Sequence, residues 1–331
     1  MKISIHSILG AFIIVFFVSA MFLVSSPPAM QSLPEDFRAG KVLGVSEAMA
    51  DRSIIDLGKG FPKSSFRPMV PPNKKDKAEN FTFQNCGGAI LDSRTGSMIY
   101  TQDADQEMPI ASITKLMSAL VFLDTKTDWE KVYTIKYSDL VGGSKNYLVV
   151  GDEVKVKDLF YLGLVGSINP AVEALAASTD LPREEFIKRM NDKAKELGLS
   201  KTSFVDPTGL DSGDTSTAAE VVKLADAAFK NKFIQEATLT ERYEFKTVGG
   251  KNIAVDNTDI LLDNFADKSP RIIGGKTGFT DSAGYCFVGK FIDDNGNAVV
   301  SAVLGGPTIN SRFSETKKAV VWVYDNFSWQ E

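Results

Sequence analysis

The chain has 331 residues, 44% of them hydrophobic and 24% charged, a balance that suits a folded domain and excludes a wholly disordered or fibrous chain. Its net charge of −5 lacks the basic footprint of a nucleic-acid binder. The single histidine, His6, lies near the N-terminus, so neither a Ser-His-Asp device nor imidazole-ligated zinc can operate in the body of the protein. Two cysteines, Cys86 and Cys286, are too few for a disulfide scaffold or a four-cysteine zinc site. An enzyme built on this sequence must take its base from Lys, Asp, Glu or Tyr.

The first element is an uncharged apolar run of 17 residues, Ile8–Val24, preceded by Lys2. As a helix it would be about 26 Å long, close to the thickness of a bilayer core. Residues 1–24 therefore read as a membrane anchor with the rest of the chain outside the cytoplasm, or as a cleaved signal peptide. Residues 25–80 read as a flexible linker. Seven of the 13 prolines fall between Pro27 and Pro72, and the charged run Asn73–Lys77 follows.

A globular domain is predicted over 81–331. Gly88–Asp92 and Ser97–Thr101 read as a hairpin turned at Arg94-Thr95-Gly96. Leu116, Leu120 and Leu123 carry helical spacing over Ser112–Leu123. Residues 155–235 read mostly as helices: Asn169-Pro170 as an N-cap followed by proline, Thr217-Ala-Ala-Glu220 as a capping box, and Gly198 as a helix end. Strand patterns return at Arg242–Thr247, Lys251–Val255, Arg271–Lys276, Tyr285–Ile292 and Ala298–Leu304, and a last helix spans about Ser311–Phe327. One sheet drawn from both ends of the domain, with a helical insert over about 113–235, is the expected α+β architecture.

Three short motifs carry chemistry. Ser112-Ile-Thr-Lys115 places a lysine one helical turn from a serine. If buried, that amine loses basicity and can take the serine proton without histidine. The spacing alone is weak, since Ser314-Glu-Thr-Lys317 repeats it. Ser167-Ile-Asn169 sits between two helices, where capping alone could explain it. Lys276-Thr-Gly278 ends a strand pattern among glycines, where a substrate backbone could approach closely and a lysine could hold a carboxylate.

The three motifs occur in the order found in class A β-lactamases and penicillin-binding proteins. Together with Pro109–Met117, Phe204-Val-Asp-Pro-Thr-Gly-Leu-Asp211, Ser216-Thr-Ala218 and Gly275–Cys286, they make residues 85–330 closely resemble the D-alanyl-D-alanine carboxypeptidases, the low-molecular-mass penicillin-binding proteins. The resemblance implies a penicillin-binding, β-lactamase-like fold: a five-stranded antiparallel sheet flanked by helices, plus an all-helical subdomain. It implies a serine carboxypeptidase acting on peptidoglycan stem peptides ending in D-Ala-D-Ala and acylated by β-lactams, with no metal or cofactor. Ser112 would be the nucleophile, Lys115 its base and Ser167 a proton relay. Asn169, Lys276, Thr277, Gly278, Phe279 and Thr280 would bind substrate, with the Phe279 N–H joining that of Ser112 in the oxyanion hole. Cys86 and Cys286 would stay unbridged. Ile168 and Pro170 depart from the family's usual second motif. A D,D-endopeptidase would use the same machinery. A class A β-lactamase would need a deacylating Glu, which the stretch Asp206–Asp211 does not supply, and a membrane-anchored penicillin sensor would need no turnover.

Overall fold

The computed structural model describes residues 69–265 and 269–330. The expected span at 8–24 lies outside them, and among the described residues no helix is long and apolar enough to cross a membrane. The chain runs from β1 (Asn73–Lys74) to the hairpin β2 (Gly87–Asp92) and β3 (Met98–Gln102). Strand β4 (Met108–Pro109) and a 3-10 turn at Ala111–Ile113 lead into α1 (Thr114–Asp124). The insert holds β5 (Val132–Thr134), β6 (Glu153–Lys155), α2 (Val156–Val165), α3 (Asn169–Ala177), α4 (Arg183–Glu196), β7 (Thr215–Ser216), α5 (Ala218–Ala228) and α6 (Lys232–Leu239). There follow β8 (Arg242–Lys246), β9 (Asn252–Asp256), α7 (Leu261–Phe265), β10 (Arg271–Thr280), β11 (Gly284–Ile292), β12 (Ala298–Gly306), α8 (Ile309–Asn326) and β13 (Phe327–Ser328).

The main sheet is antiparallel with strand order β10-β11-β12-β2-β3, so the first hairpin closes onto the last strands. Side chains alternate between its faces. Ala89 and Leu91, Val300 and Ala302 face a core shared with α1, α2, α3 and α5. Ile90, Val299, Val303, Phe287 and Phe291 face a second core under α8 with Phe313, Val320 and Val323. Both faces are therefore covered, which is why the strands read as nearly continuous apolar runs.

The expected α+β architecture is present, with three differences of detail. Strands β8 and β9 form their own two-stranded sheet rather than joining the main one. Thr217 caps α5 by accepting from the Glu220 N–H, but the Glu220 carboxylate accepts from Lys201 and Thr202 instead of closing the box. The linker expected over 25–80 reaches too far. Asn73 and Lys74 pair with Ser328 and Phe327, Lys75 bonds the Asp325 and Asn326 carbonyls, and Trp322 donates to the Glu79 carbonyl. A sequence read for apolar periodicity misses such an arm, because backbone groups hold it. Both cysteines are free; Cys86 is half-buried and Cys286 buried, and desolvation pushes their thiols up to about 12 and about 11.

Candidate active site

Ser112 occupies the 3-10 turn that opens α1, where side chains three apart eclipse. That geometry sets the Lys115 amine 2.7 Å from Ser112 Oγ. Lys115 is only 1% exposed, and its amine also meets Asn169 Oδ1 at 2.6 Å and the Thr208 carbonyl at 2.6 Å. Burial lowers its pKa to about 7, although Asp206, Asp214 and Glu173 pull the other way. A neutral amine has two N–H donors and one lone pair. Asn169 and Thr208 can only accept at these atoms, so a neutral Lys115 gives them its two donors and leaves its lone pair for the serine hydroxyl, whereas a protonated Lys115 donates to all three.

The other motifs converge on the same place. Asn169 is the first residue of α3, but its side chain does not cap the helix as the Asn-Pro pattern predicts. Its Oδ1 goes to Lys115 and its Nδ2 donates to the Gly142 carbonyl at 2.7 Å, while Ser144 Oγ accepts from its backbone N–H. Ser167, with φ +58, accepts from the Lys276 amine at 2.9 Å. Ala111, beside Ser112, also has a positive φ of +48. Two non-glycine residues in this region, one in the Ser-x-Asn motif and one just before Ser112, mark locally strained backbone held by its surroundings. Lys276 is 1% exposed and lies inside β10 rather than in a turn. Burial first, then the charges of Lys115 and Arg312, hold its amine well below the ordinary lysine value. Thr277 Oγ1 lies 2.6 Å from Thr258 Oγ1.

The cleft forks at Ser112, Gly143 and Phe279. One arm, of about 320 Å³, is lined by Ser167, Ile168, Thr258, Thr277, Gly278 and Arg312 among others. The second, of about 260 Å³, is lined by Asn169, Leu210, Thr280 and Asp281 among others. Phe279 is 46% exposed and stacks on Tyr285 with ring centroids 4.2 Å apart, walling both arms. All the expected site residues line the fork or bond a residue that does; Lys115 and Lys276 act from beneath it. Ser314 and Lys317 stand apart and exposed on α8.

A loop under the serine fixes this geometry. Asp206 Oδ1 accepts from the Thr208 N–H, the Thr208 hydroxyl and the Gly209 N–H, and its Oδ2 from Asp211. Burial raises the Asp206 pKa, but these bonds outweigh it and hold the group below its ordinary value. The Thr208 carbonyl is thereby aimed at Lys115. Gly209, at φ +81, allows the loop to touch the turn that carries Ser112; a Cβ there would overlap the Ala111 carbonyl. Across the cleft, a Cβ on Gly278 would stand 2.8 Å from the Ile110 carbonyl, so the strand also needs glycine for close approach.

Sequence reading missed several members. Arg312 lines the cleft and donates to the Gly278 carbonyl at 3.0 Å. It shares the buried stripe of α8 with Thr316, Ala319, Val320 and Val323, and a cation on an apolar helical stripe was the available signal. Asp259 is buried behind β10 with its pKa raised to about 7 by desolvation. Asp206 followed by Pro-Thr-Gly is a sequence that favours the backbone-capping turn it makes.

The D-alanyl-D-alanine carboxypeptidase family matches residues 77–308. The chain is 33% identical over 224 residues to a D-alanyl-D-alanine endopeptidase of Pseudomonas aeruginosa, covering 66% of this chain and 70% of that one. It is 29% identical over 283 residues to the D-alanyl-D-alanine carboxypeptidase DacF of Bacillus subtilis, covering 83% and 72%. The ampicillin-bound structure of penicillin-binding protein D2 from Listeria monocytogenes superposes with a TM-score of 0.64 at 31% identity, over 74% of this chain and 99% of that one.

Proposed function

Because this chain belongs to the D-alanyl-D-alanine carboxypeptidase family, we propose that it hydrolyses the terminal D-Ala from peptidoglycan stem peptides through an acyl-enzyme on Ser112. Ser112 Oγ attacks the carbonyl of the penultimate D-Ala while Lys115 takes its proton. The N–H groups of Ser112 and Phe279 receive the developing oxyanion. The C–N bond breaks as the proton held by Lys115 passes by way of Ser167 to the departing D-Ala amine, which leaves Lys115 neutral again; Lys276 holds Ser167 in place by donating to its hydroxyl. Water then cleaves the ester, with Lys115 again the base. Thr277 and Arg312 hold the terminal carboxylate, with the Lys276 amine behind them; Asn169, Gly278 and Thr280 border the peptide. β-Lactams acylate the same serine.

The observation that carries this reading is the buried Lys115 amine, which lies within hydrogen-bond distance of Ser112 Oγ, Asn169 Oδ1 and the Thr208 carbonyl. The test is release of free D-Ala from a pentapeptide by the wild-type chain and its absence with Ser112→Ala. A D,D-endopeptidase is the second reading, favoured by the likeness to the Pseudomonas enzyme, and cleavage of a cross-linked dimer at a comparable rate would establish it. The site belongs in the cell envelope, and Ile8–Val24 would tether it to the membrane. A C-terminal reporter active only in the cytoplasm would refute that tether.

A further inference from the structure

We propose that Asp259 is a positioning residue for the substrate carboxylate: it lies as a buried counter-anion behind Thr277 and Arg312, and it takes up a proton when that carboxylate docks against them. The inference rests on the carboxypeptidase reading and adds a proton-linked binding step to it.

Asp259 belongs to the segment that joins β9 to α7 behind β10. Its neighbour Thr258 meets Thr277 through a hydroxyl contact of 2.6 Å. A Cβ on Gly275 would stand 2.1 Å from Asp259 Oδ2 and 3.2 Å from the Phe287 ring, so the carboxyl seats directly on the strand. Side chains alternate along β10, so Asp259 lies on the face that carries Gly275 and Thr277, while Lys276 points to Ser167 on the other. From α8, Arg312 reaches the Gly278 carbonyl, one residue past Thr277. The acid, the threonine and the guanidinium are thus grouped at the end of the cleft assigned to the carboxylate.

The acid is poorly satisfied for a group so deep. It is 4% exposed, and its Oδ1 accepts from the Leu261 N–H at 2.8 Å. Its Oδ2 has no hydrogen-bond partner among the described residues, and neither has Arg312 Nε. An anion with one donor, packed among Leu261 and Phe287, favours its neutral form. Opposing that are the Leu261 N–H and the charges of Lys276 on β10 and Arg312 on α8. β11 turns Phe287 toward it, and the charged residue of α7, Asp263, is exposed. The balance holds the carboxyl at about 7.

Near neutrality Asp259 is therefore partly ionised and offsets the cations that a substrate carboxylate would meet. A second anion arriving at Thr277 and Arg312 disfavours the first and raises its pKa. One proton then passes from water to Asp259 Oδ2, and the cations are left to the ligand. Below about 7 the acid is already neutral, and docking needs no proton. Above that point docking must draw one from solution, so affinity falls as pH rises, until the higher pKa of the bound state is passed. The linkage acts on binding and leaves the chemistry of the bound complex alone.

The experiment follows D-Ala release from α,ε-diacetyl-L-Lys-D-Ala-D-Ala by the full chain, with KM and kcat measured separately from about pH 6 to about pH 9. KM should stay level to about pH 7 and then rise about three- to tenfold by about pH 8.5, while kcat stays level over that rise. Asp259→Asn, uncharged at every pH and still able to accept from Leu261, should keep the low KM throughout, with kcat within about twofold of wild type. KM does not depend on the amount of folded enzyme, so partial unfolding of the variant leaves it readable. A wild-type KM flat across the range would overturn the proposal without any variant. A rise that survives Asp259→Asn would overturn it as well and assign the proton to Lys276. Either result leaves the carboxypeptidase reading intact, whereas no D-Ala release at any pH would overturn that reading and the proposal with it.

Discussion

Ser112–Lys115 and Ser314–Lys317 have the same spacing and opposite surroundings. The first pair sits where α1 meets β10, its lysine sealed from water and its amine held at three points. The second lies on the outer face of α8, where both residues are exposed and Ser314 Oγ turns back to the Ser311 carbonyl. Lys317 lies open to solvent and lacks the burial that surrounds Lys115. What sets Ser112 apart, and carries the nucleophile role proposed for it, is the desolvation and the two acceptors that surround its partner, and neither is encoded within the four residues of the motif.

The contrast can be broken most sharply by labelling with a fluorescent penicillin. Ser112→Ala should abolish the label, and Ser314→Ala should leave it at wild-type intensity; label mapped to Ser314 would erase the distinction. Lys115→Ala should slow acylation about 10²–10⁴-fold with circular dichroism unchanged, whereas a loss below about tenfold would point to another base. The same amine sets the pH profile. Its pKa of about 7 leaves it protonated in acid, so acylation should fall about tenfold per unit below that point and level off above it. A profile flat down to the carboxylate range would be incompatible with Lys115 as base.

Gly209→Ala should cost at least about tenfold in acylation, because the added methyl overlaps the Ala111 carbonyl and its φ of +81 is unfavourable for alanine. Stopped-flow acylation compared with thermal melting separates this displacement from unfolding. Smaller still is the effect of shortening the chain. Starting at Ala78 instead of Arg67 removes the β1–β13 pairing and the Lys75 bonds. A loss of about 2–3 kcal/mol, or about 4–10 °C in Tm, is expected, with acylation of Ser112 unchanged. If acylation slowed in proportion, the α8 side and the α1 side would not be independent.

Alternation and helical spacing made the first hairpin, α1, β11, β12 and α8 legible, since both faces of the sheet are buried. Misreadings arose where distant contacts outvote local pattern. The glycines around Lys276 look like the end of a strand, yet β10 continues to Thr280 because Gly278 must pass beneath the Ile110 carbonyl. Asn169 before Pro170 looks like a cap, yet a lysine 54 residues earlier claims its side chain. The Ser-x-x-Lys, Ser-x-Asn and Lys-Thr-Gly residues were legible as a set, while Arg312 and Asp259, which support them from α8 and from behind β10, belong to no local motif.

The order β10-β11-β12-β2-β3 also governs when this protein can come into being. Gly87 pairs with Leu304 and Asn73 with Ser328, so β2 waits for a partner made more than 200 residues later. At about 5–20 residues per second, a ribosome needs about 10–40 s to supply it. Until β12 and β10 emerge, the turn that carries Ser112 has no strand opposite it and Ser112 no cleft, so the reactivity proposed for it would be acquired only after Thr280 has been synthesised. Long-range closure of this kind slows folding and leaves the early hairpin with an open edge in the interval.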